Sequence, residues 1–266
     1  MGRSSQEVRD VEERIRLRVP IVYEIIRREG EEELSRPLTS LWWSGVAAGL
    51  GISMSVVAQG LLRYNLPDAP WRPAVSNLGY CAGFLIAVLG RLQLFTENTI
   101  TAVLPLLAER TRRNLLRTTA LWLVVLAANL FGTLLFAVAV THAGIFPAAQ
   151  TETFLAVSHH LADMGASDVL LHGIPAGFLV AAMVWMMPSA KGTEFWVVTL
   201  MTYLIALGGL THVVAGSAEA FLLLLHGEIG VGQTVLGFVL PAFVGNVIGG
   251  TALFALLAYG QVKEEL

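Results

Sequence analysis

Two short stretches of an otherwise apolar chain hold side chains able to move protons or bind ions. The first is QLFTENTITA at 93–102, with one acid, one asparagine and three threonines. The second surrounds His212, a lone imidazole in the charge-free run 195–218. Histidine changes charge near neutral pH, so His212 is a candidate proton donor and acceptor. Thr96, Thr99 and Ser217 offer hydroxyl donors beside it. Each also has a plainer role: a histidine bonded between helices, or threonines bonded back to their own helix carbonyls. Intramembrane ionisable groups are expensive, which favours function for His212. No convergent acid, base and nucleophile accompany it, so no enzyme is expected.

Other chemistries are poorly served. Cys81 is the one cysteine, which excludes an intrachain disulfide and a cysteine-based zinc site. His159 and His160 lie near Asp163, but adjacent residues rarely face one ion, and a solvated or vestibular place is expected. No metal or cofactor is expected. Net charge is −3, so there is no basic surplus for nucleic acid, and no glycine-rich phosphate loop precedes a Lys-Ser/Thr pair.

The elements that must position these residues follow from composition. Hydrophobic residues are 55% and charged residues 14%, with mean hydropathy +0.66. A soluble domain carries nearer a quarter charged residues, so an all-α membrane protein is predicted. Apolar runs at 38–62, 118–140, 169–188 and 231–259 are long enough to cross. Two more are interrupted: 77–90 with 99–108, and 195–218 with 221–225. That gives six spans, the second and fifth broken, in a domain over 37–262. Residues 1–36 hold 8 of 17 basic and 9 of 20 acidic residues. Val8, Val11 and Ile15, then Val22, Ile25 and Ile26, recur at helical spacing around Pro20, predicting one or two amphipathic helices. A solvated charged tail is the alternative, and no cleavable leader is expected. Outside the spans, 14 basic residues fall on one side and two, Arg63 and Arg72, on the other. The N-terminus and residues 263–266 are therefore expected in the cytoplasm, and 141–168 outside.

The halves repeat. NLFGT at 129–133 matches NVIGG at 246–250 at an offset of 117, which carries Phe95 onto His212. SGVAAG at 44–49 matches HGIPAG at 172–177 at an offset of 128. Three spans per half make the repeat inverted, about 38–140 and 169–260, as in many transporters. Backbone leaves the helix inside a bilayer only where protein or water satisfies it, so matched breaks point to a pore centre. Half-helices there would aim their N-terminal positive ends at an anion. Asn129, Asn246, Gly249 and Gly250 are expected to serve close helix packing.

With the broken spans placed, the chain resembles the formate/nitrite transporter family over about 38–261. LFTENT at 94–99, the central His212 and LPAFVGNVIGG at 240–250, in that order and spacing, carry the resemblance. It implies a homopentamer with an aquaporin-like pore in each protomer. It implies passage of small monovalent anions such as formate or nitrite, often with a proton. Leu94, Phe95 and Thr96 would then form the loop that breaks span two, with Phe95 at the cytoplasmic constriction and Thr96 facing His212. Tyr80 and Phe84 would form the outer apolar constriction, and Ile205 and Val180 complete the walls. There are departures. Thr211 and Gly216 stand where the family pattern has an acid and an asparagine, Gly177 where it has an asparagine, and 141–168 lacks a vestibular lysine.

Arg91, Glu97 and Glu219 are additional intramembrane charges. The expected arrangement is a structural ion pair between Arg91 and one glutamate. The alternative is a glutamate facing the pore, which would suit a neutral or cationic solute. The chain is thus expected to be a multi-pass protein of the inner or plasma membrane. Its partners would be the lipid bilayer and a small weak-acid anion, with His212 coupling transport to protons. A pore for another small neutral or cationic solute using Glu97 or Glu219, and a membrane scaffold acting through its N-terminus, are the rivals.

Overall fold

A computed structural model describes residues 17–265. They form helices with no strand among them. The order is α1 Val19–Ser35, α2 Leu38–Asn65, α3 Arg72–Leu89, α4 Asn98–Ala108, α5 Arg112–His142, α6 Ala148–Ser158, α7 Ala166–Ser189, α8 Glu194–Leu207, α9 Val213–Leu225 and α10 Gln233–Val262. Five of these, α2, α3, α5, α7 and α10, are long and apolar enough to cross a membrane. At 14 residues, α8 is about 21 Å long, short of a bilayer's hydrocarbon on its own. Trp43, Leu123, Trp196 and Leu257 are exposed on the outer surface, as a lipid-facing or subunit-facing wall requires.

The two breaks are re-entrant. From a face shared with His160, α3 runs to the face where Val88, Leu89 and Arg91 meet Glu29 of α1. The chain then doubles back to Thr96, and α4 leaves toward the same face. In the second half α8 starts beside Lys191 on the α1 face and ends at Gly209 beside His160. Residues 208–212 return inward before α9 begins. Each turn is built alike. Arg91 (φ 52°) and Gly209 (φ 57°) take the left-handed conformation. Leu92 N–H donates to Ala87 O (2.9 Å) and Leu210 N–H to Ile205 O (3.0 Å), the bonding that ends a helix with a left-handed residue. Arg91 therefore occupies a position that favours glycine. Arg91→Gly is expected to stabilise the fold by about 1 kcal/mol, raising the thermal midpoint in detergent by roughly 2–4 °C.

Glycine seams hold the halves. Cβ atoms on Gly49 and Gly177 would stand 2.3 and 2.2 Å from the carbonyl oxygens of Asn129 and Asn246. Helix α2 thus lies directly against the backbone of α5, and α7 against that of α10. π-Helical turns at Gln233–Val239 and Ile248–Ala255 flank the segment Leu240–Val247 that carries Asn246.

Val8, Val11 and Ile15 lie outside the described residues. Helix α1 starts with Pro20 in its first turn and buries Val22, Tyr23 and Ile26 against Val103, Leu104 and the end of α10. Arg27 and Arg28 on its polar side hold the Glu24 carboxyl down at about 2, so this charge lattice persists through neutral pH and is lost only near pH 2. The 141–168 segment, expected as an outer loop, contains α6, whose Phe154 ring packs on Gly60 of α2.

Candidate functional site

Helices α4 and α9 both begin at the middle of the molecule, immediately after Thr96–Glu97 and His212. The positive ends of the two helix dipoles thus meet at the centre, where the first amides of α9 are capped by Asn246 Oδ1 and His212 Nδ1. There Thr96 Oγ1 and His212 Nε2 stand 2.7 Å apart, both buried. The Ala215 amide donates to His212 Nδ1 at 3.1 Å. An amide N–H can only donate, so Nδ1 carries the lone pair. The neutral ring then keeps its proton on Nε2 and donates it to Thr96. Phe84 meets the imidazole edge-on, with ring centroids 4.9 Å apart.

Two asparagines clamp the breaks. Asn129 Oδ1 accepts from Phe95 N–H (2.9 Å), and its Nδ2 donates to Gln93 O and Gly45 O (both 2.8 Å). Asn246 Oδ1 accepts from Val213 N–H (2.8 Å), and its Nδ2 donates to Gly173 O (2.8 Å) and Thr211 O (2.9 Å). The matched bonds pair Phe95 with Val213 and Gln93 with Thr211, each 118 apart. The 117 offset holds for the asparagines but is one residue out at the breaks, where Leu94 is the true counterpart of His212.

The remaining candidates sort by what their polar atoms touch. Thr99 and Thr101 bond back to Thr96 O and Glu97 O, and Ser217 bonds Val214 O and Thr133, so of these hydroxyls Thr96 alone contacts His212. Thr211 lines the cavity beside His212, but its hydroxyl donates to Val169 O (2.5 Å). Gly249 and Gly250 press against Ile174 O and the Thr99 side chain, which is a packing role. Leu94, Phe95, Phe84, Val180 and Ile205 are buried in the central apolar cluster, and Tyr80 stacks on Phe84 at 5.2 Å. Phe95 packs on Trp122 and on Phe243 of α10.

The charges depart from expectation. Arg91 is not a buried partner of Glu97 or Glu219. Its left-handed turn projects the side chain outward, 86% exposed, to within 3.5 Å of Glu29 on α1. Glu97 Oε1 is buried without a hydrogen bond. It lines a cavity of about 190 Å³ on the α1 face with Glu29, Glu32, Glu33, Arg91 and Gln93. Gln93 joins this cavity to α1 through Glu33 (2.6 Å). Glu219 lies at the opposite mouth.

That opposite mouth holds what sequence reasoning missed. Phe238 covers Gly216 so closely that a Cβ there would stand 2.2 Å from the ring. With Tyr80, Ile205, His160 and Glu219 it lines a small cavity that ends at His212. A wider space outside is lined by Arg63, Arg72, Asp68 and His160, with the two arginines standing where 141–168 offered no lysine. Phe238 sits in a charge-free run of mostly apolar residues, so periodicity could not single it out. His159 and His160 diverge, to Glu228 (3.0 Å) and Glu219 (3.7 Å).

Comparison with known proteins adds three findings. A family model described as formate/nitrite transporter matches residues 20–260. The inner membrane protein YfdC of Escherichia coli (strain K12) is 38% identical over 255 residues, covering 96% of this chain and 82% of that protein. Two solved structures share the fold at 18% identity. One, an FNT family ion channel, has a TM-score of 0.75 over 91% of this chain and 98% of its own. The other, a pentameric formate channel with formate bound, has a TM-score of 0.72 over 85% and 98%.

Proposed function

Because the chain belongs to the formate/nitrite transporter family, we propose that it passes small monovalent weak-acid anions, of formate or nitrite type, together with a proton. The observation that carries this reading is the buried contact of His212 Nε2 with Thr96 Oγ1 where two helix N-termini meet. The solute gathers near Arg63 and Arg72, passes Tyr80, Ile205 and Phe238, and reaches His212. Beyond it lie Leu94 and Phe95 and the α1-side cavity.

Magnitudes favour passage in the neutral form. Carrying a bare anion through a dry apolar gap has an idealised cost on the order of 20 kcal/mol. Helix termini return about 2 kcal/mol at best. Protonating a carboxylate of pKa near 4 at pH 7 costs about 4 kcal/mol. A solute oxygen that replaces Thr96 accepts the Nε2–H bond; for transfer the ring first takes a second proton from solvent at Nδ1, releasing Ala215 N–H, and then passes Nε2–H to the solute and is left neutral.

A homopentamer in the inner membrane with both termini cytoplasmic completes the reading. Its supports are the pentameric formate channel of the same fold, the inner membrane relative, and the excess of basic residues on one side. Helix α1 and the end of α10 also pack on one face.

The acidic cavity around Glu97 favours one rival, a pore for a small cation. Currents of the reconstituted protein under a sodium formate gradient separate the two. One anion moving with one proton carries no net charge, so no formate-dependent current is expected; a current reversing at the sodium equilibrium potential would establish the cation pore instead.

A further inference from the structure

Glu219 lies in the path of an anion, at the mouth opposite α1. Its side chain is 6% exposed, and Oε2 is buried with no hydrogen bond. An ionised carboxylate there would repel the solute, so the residue must either exclude anions or carry a proton for them. Its neighbour decides between these. His160 Nε2 stands 3.7 Å from Oε2, and His160 Nδ1 lies 3.0 Å from Val157 O. A carbonyl only accepts, so Nδ1 holds a proton and Nε2 is the free end. That free end faces Glu219, while the ring is half exposed to the wide outer space. One side of the pair meets water and the other meets the cavity that ends at His212.

We propose that Glu219 is the proton donor for solute arriving from this mouth, and that His160 recharges it. The inference rests on the weak-acid reading above. In the step, the Glu219 carboxyl O–H bond breaks and a new O–H bond forms on the solute oxygen, giving the neutral acid. Glu219 is left as carboxylate. His160 Nε2 takes a proton from hydronium in the outer space and passes it to that carboxylate, which returns the ring to its neutral Nδ1–H form. One anion and one proton go in as one neutral molecule, which then meets His212. The other titratable or charged groups lining the cavity and its mouth are Tyr80 from α3, His212 at the break, and Arg63, Asp68 and Arg72 farther out. Asp68 is paired with Arg72 (3.0 Å), and the neighbouring His159 turns away to Glu228. Among the described residues, His160 is the one cation-forming side chain within ion-pair distance of Glu219.

The test uses the full chain in proteoliposomes, with labelled formate as the acid and formamide as a neutral probe of similar size. Glu219→Gln keeps the shape and removes the transferable proton. Formate uptake at pH 7 is expected to fall about tenfold or more, with the deficit shrinking toward pH 5 as solution supplies formic acid itself. Formamide permeation should be unchanged, and Glu219→Asp should restore much of the formate uptake. His160→Ala should slow formate uptake at pH 7 several-fold while leaving formamide permeation unchanged. Wild-type formate uptake in Glu219→Gln across the pH range overturns the donor role while leaving the weak-acid reading standing. Loss of formamide along with formate overturns it too, by showing a structural role. A wild-type protein that moves neither formate nor nitrite at any pH removes both readings.

Discussion

Asn246→Ala is expected to destabilise the protein by about 2–4 kcal/mol and to disorder the break at 208–212. One side chain holds Val213 N–H, Thr211 O and Gly173 O together, joining α10, the re-entrant turn and α7. Truncation leaves a donor and two acceptors in a region without bulk water. Each such group costs about 1–3 kcal/mol when nothing replaces its partner. Hydrogen bonds inside membrane proteins average nearer 0.6 kcal/mol, because the loosened state finds other partners, which sets the lower end. The thermal midpoint in detergent should fall by roughly 5–15 °C. Asn129→Ala should do the same, since Asn129 makes the matching three bonds to Phe95, Gln93 and Gly45. A large loss at one asparagine and none at the other would show that the two breaks are not held alike.

Much of this was legible in the sequence because lipid restricts what backbone can do. Charge-free runs of span length gave the crossings, and the polar interruptions gave the breaks. The short Asn/Gly matches gave the inverted halves, since close helix packing demands small residues at fixed spacing. The pairing of Thr96 with His212 followed from the family resemblance. What escaped depends on directions that spacing does not encode. The one-residue difference at the breaks arises between the turns and the asparagines that clamp them. Arg91 reads as a buried charge, yet a left-handed turn sends it outward to Glu29. Ser217 reads as a pore hydroxyl, yet its helix phase turns it to Thr133. Helix α6 was hidden because 141–168 mixes polar and apolar residues without a clean period. The asparagines read as packing residues, yet their polar atoms hold the turns.

His212→Phe is the second large expected effect, and it falls on transport more than on stability. The phenyl ring keeps the contact with Phe84 and most of the imidazole volume. It removes Nδ1, which caps α9 through Ala215 N–H, at a cost of about 1 kcal/mol. It also removes Nε2–H, the group that meets Thr96 and, on the proposed reading, the solute. Loss of a positioned proton donor costs roughly a hundredfold or more in rate. Formate uptake should therefore fall toward that of empty liposomes while the protein remains folded. Thr96→Val, which leaves the imidazole in place, should have the smaller effect of the two.

The most direct measurement is luminal pH in proteoliposomes loaded with a fluorescent pH reporter, with an inward formate gradient and the membrane voltage held at zero. Passage of anion and proton together predicts acidification well above that of empty liposomes, matched to formate uptake and lost in His212→Phe. Formate uptake that carries current without acidification, or acidification equal in wild type and His212→Phe, would contradict it.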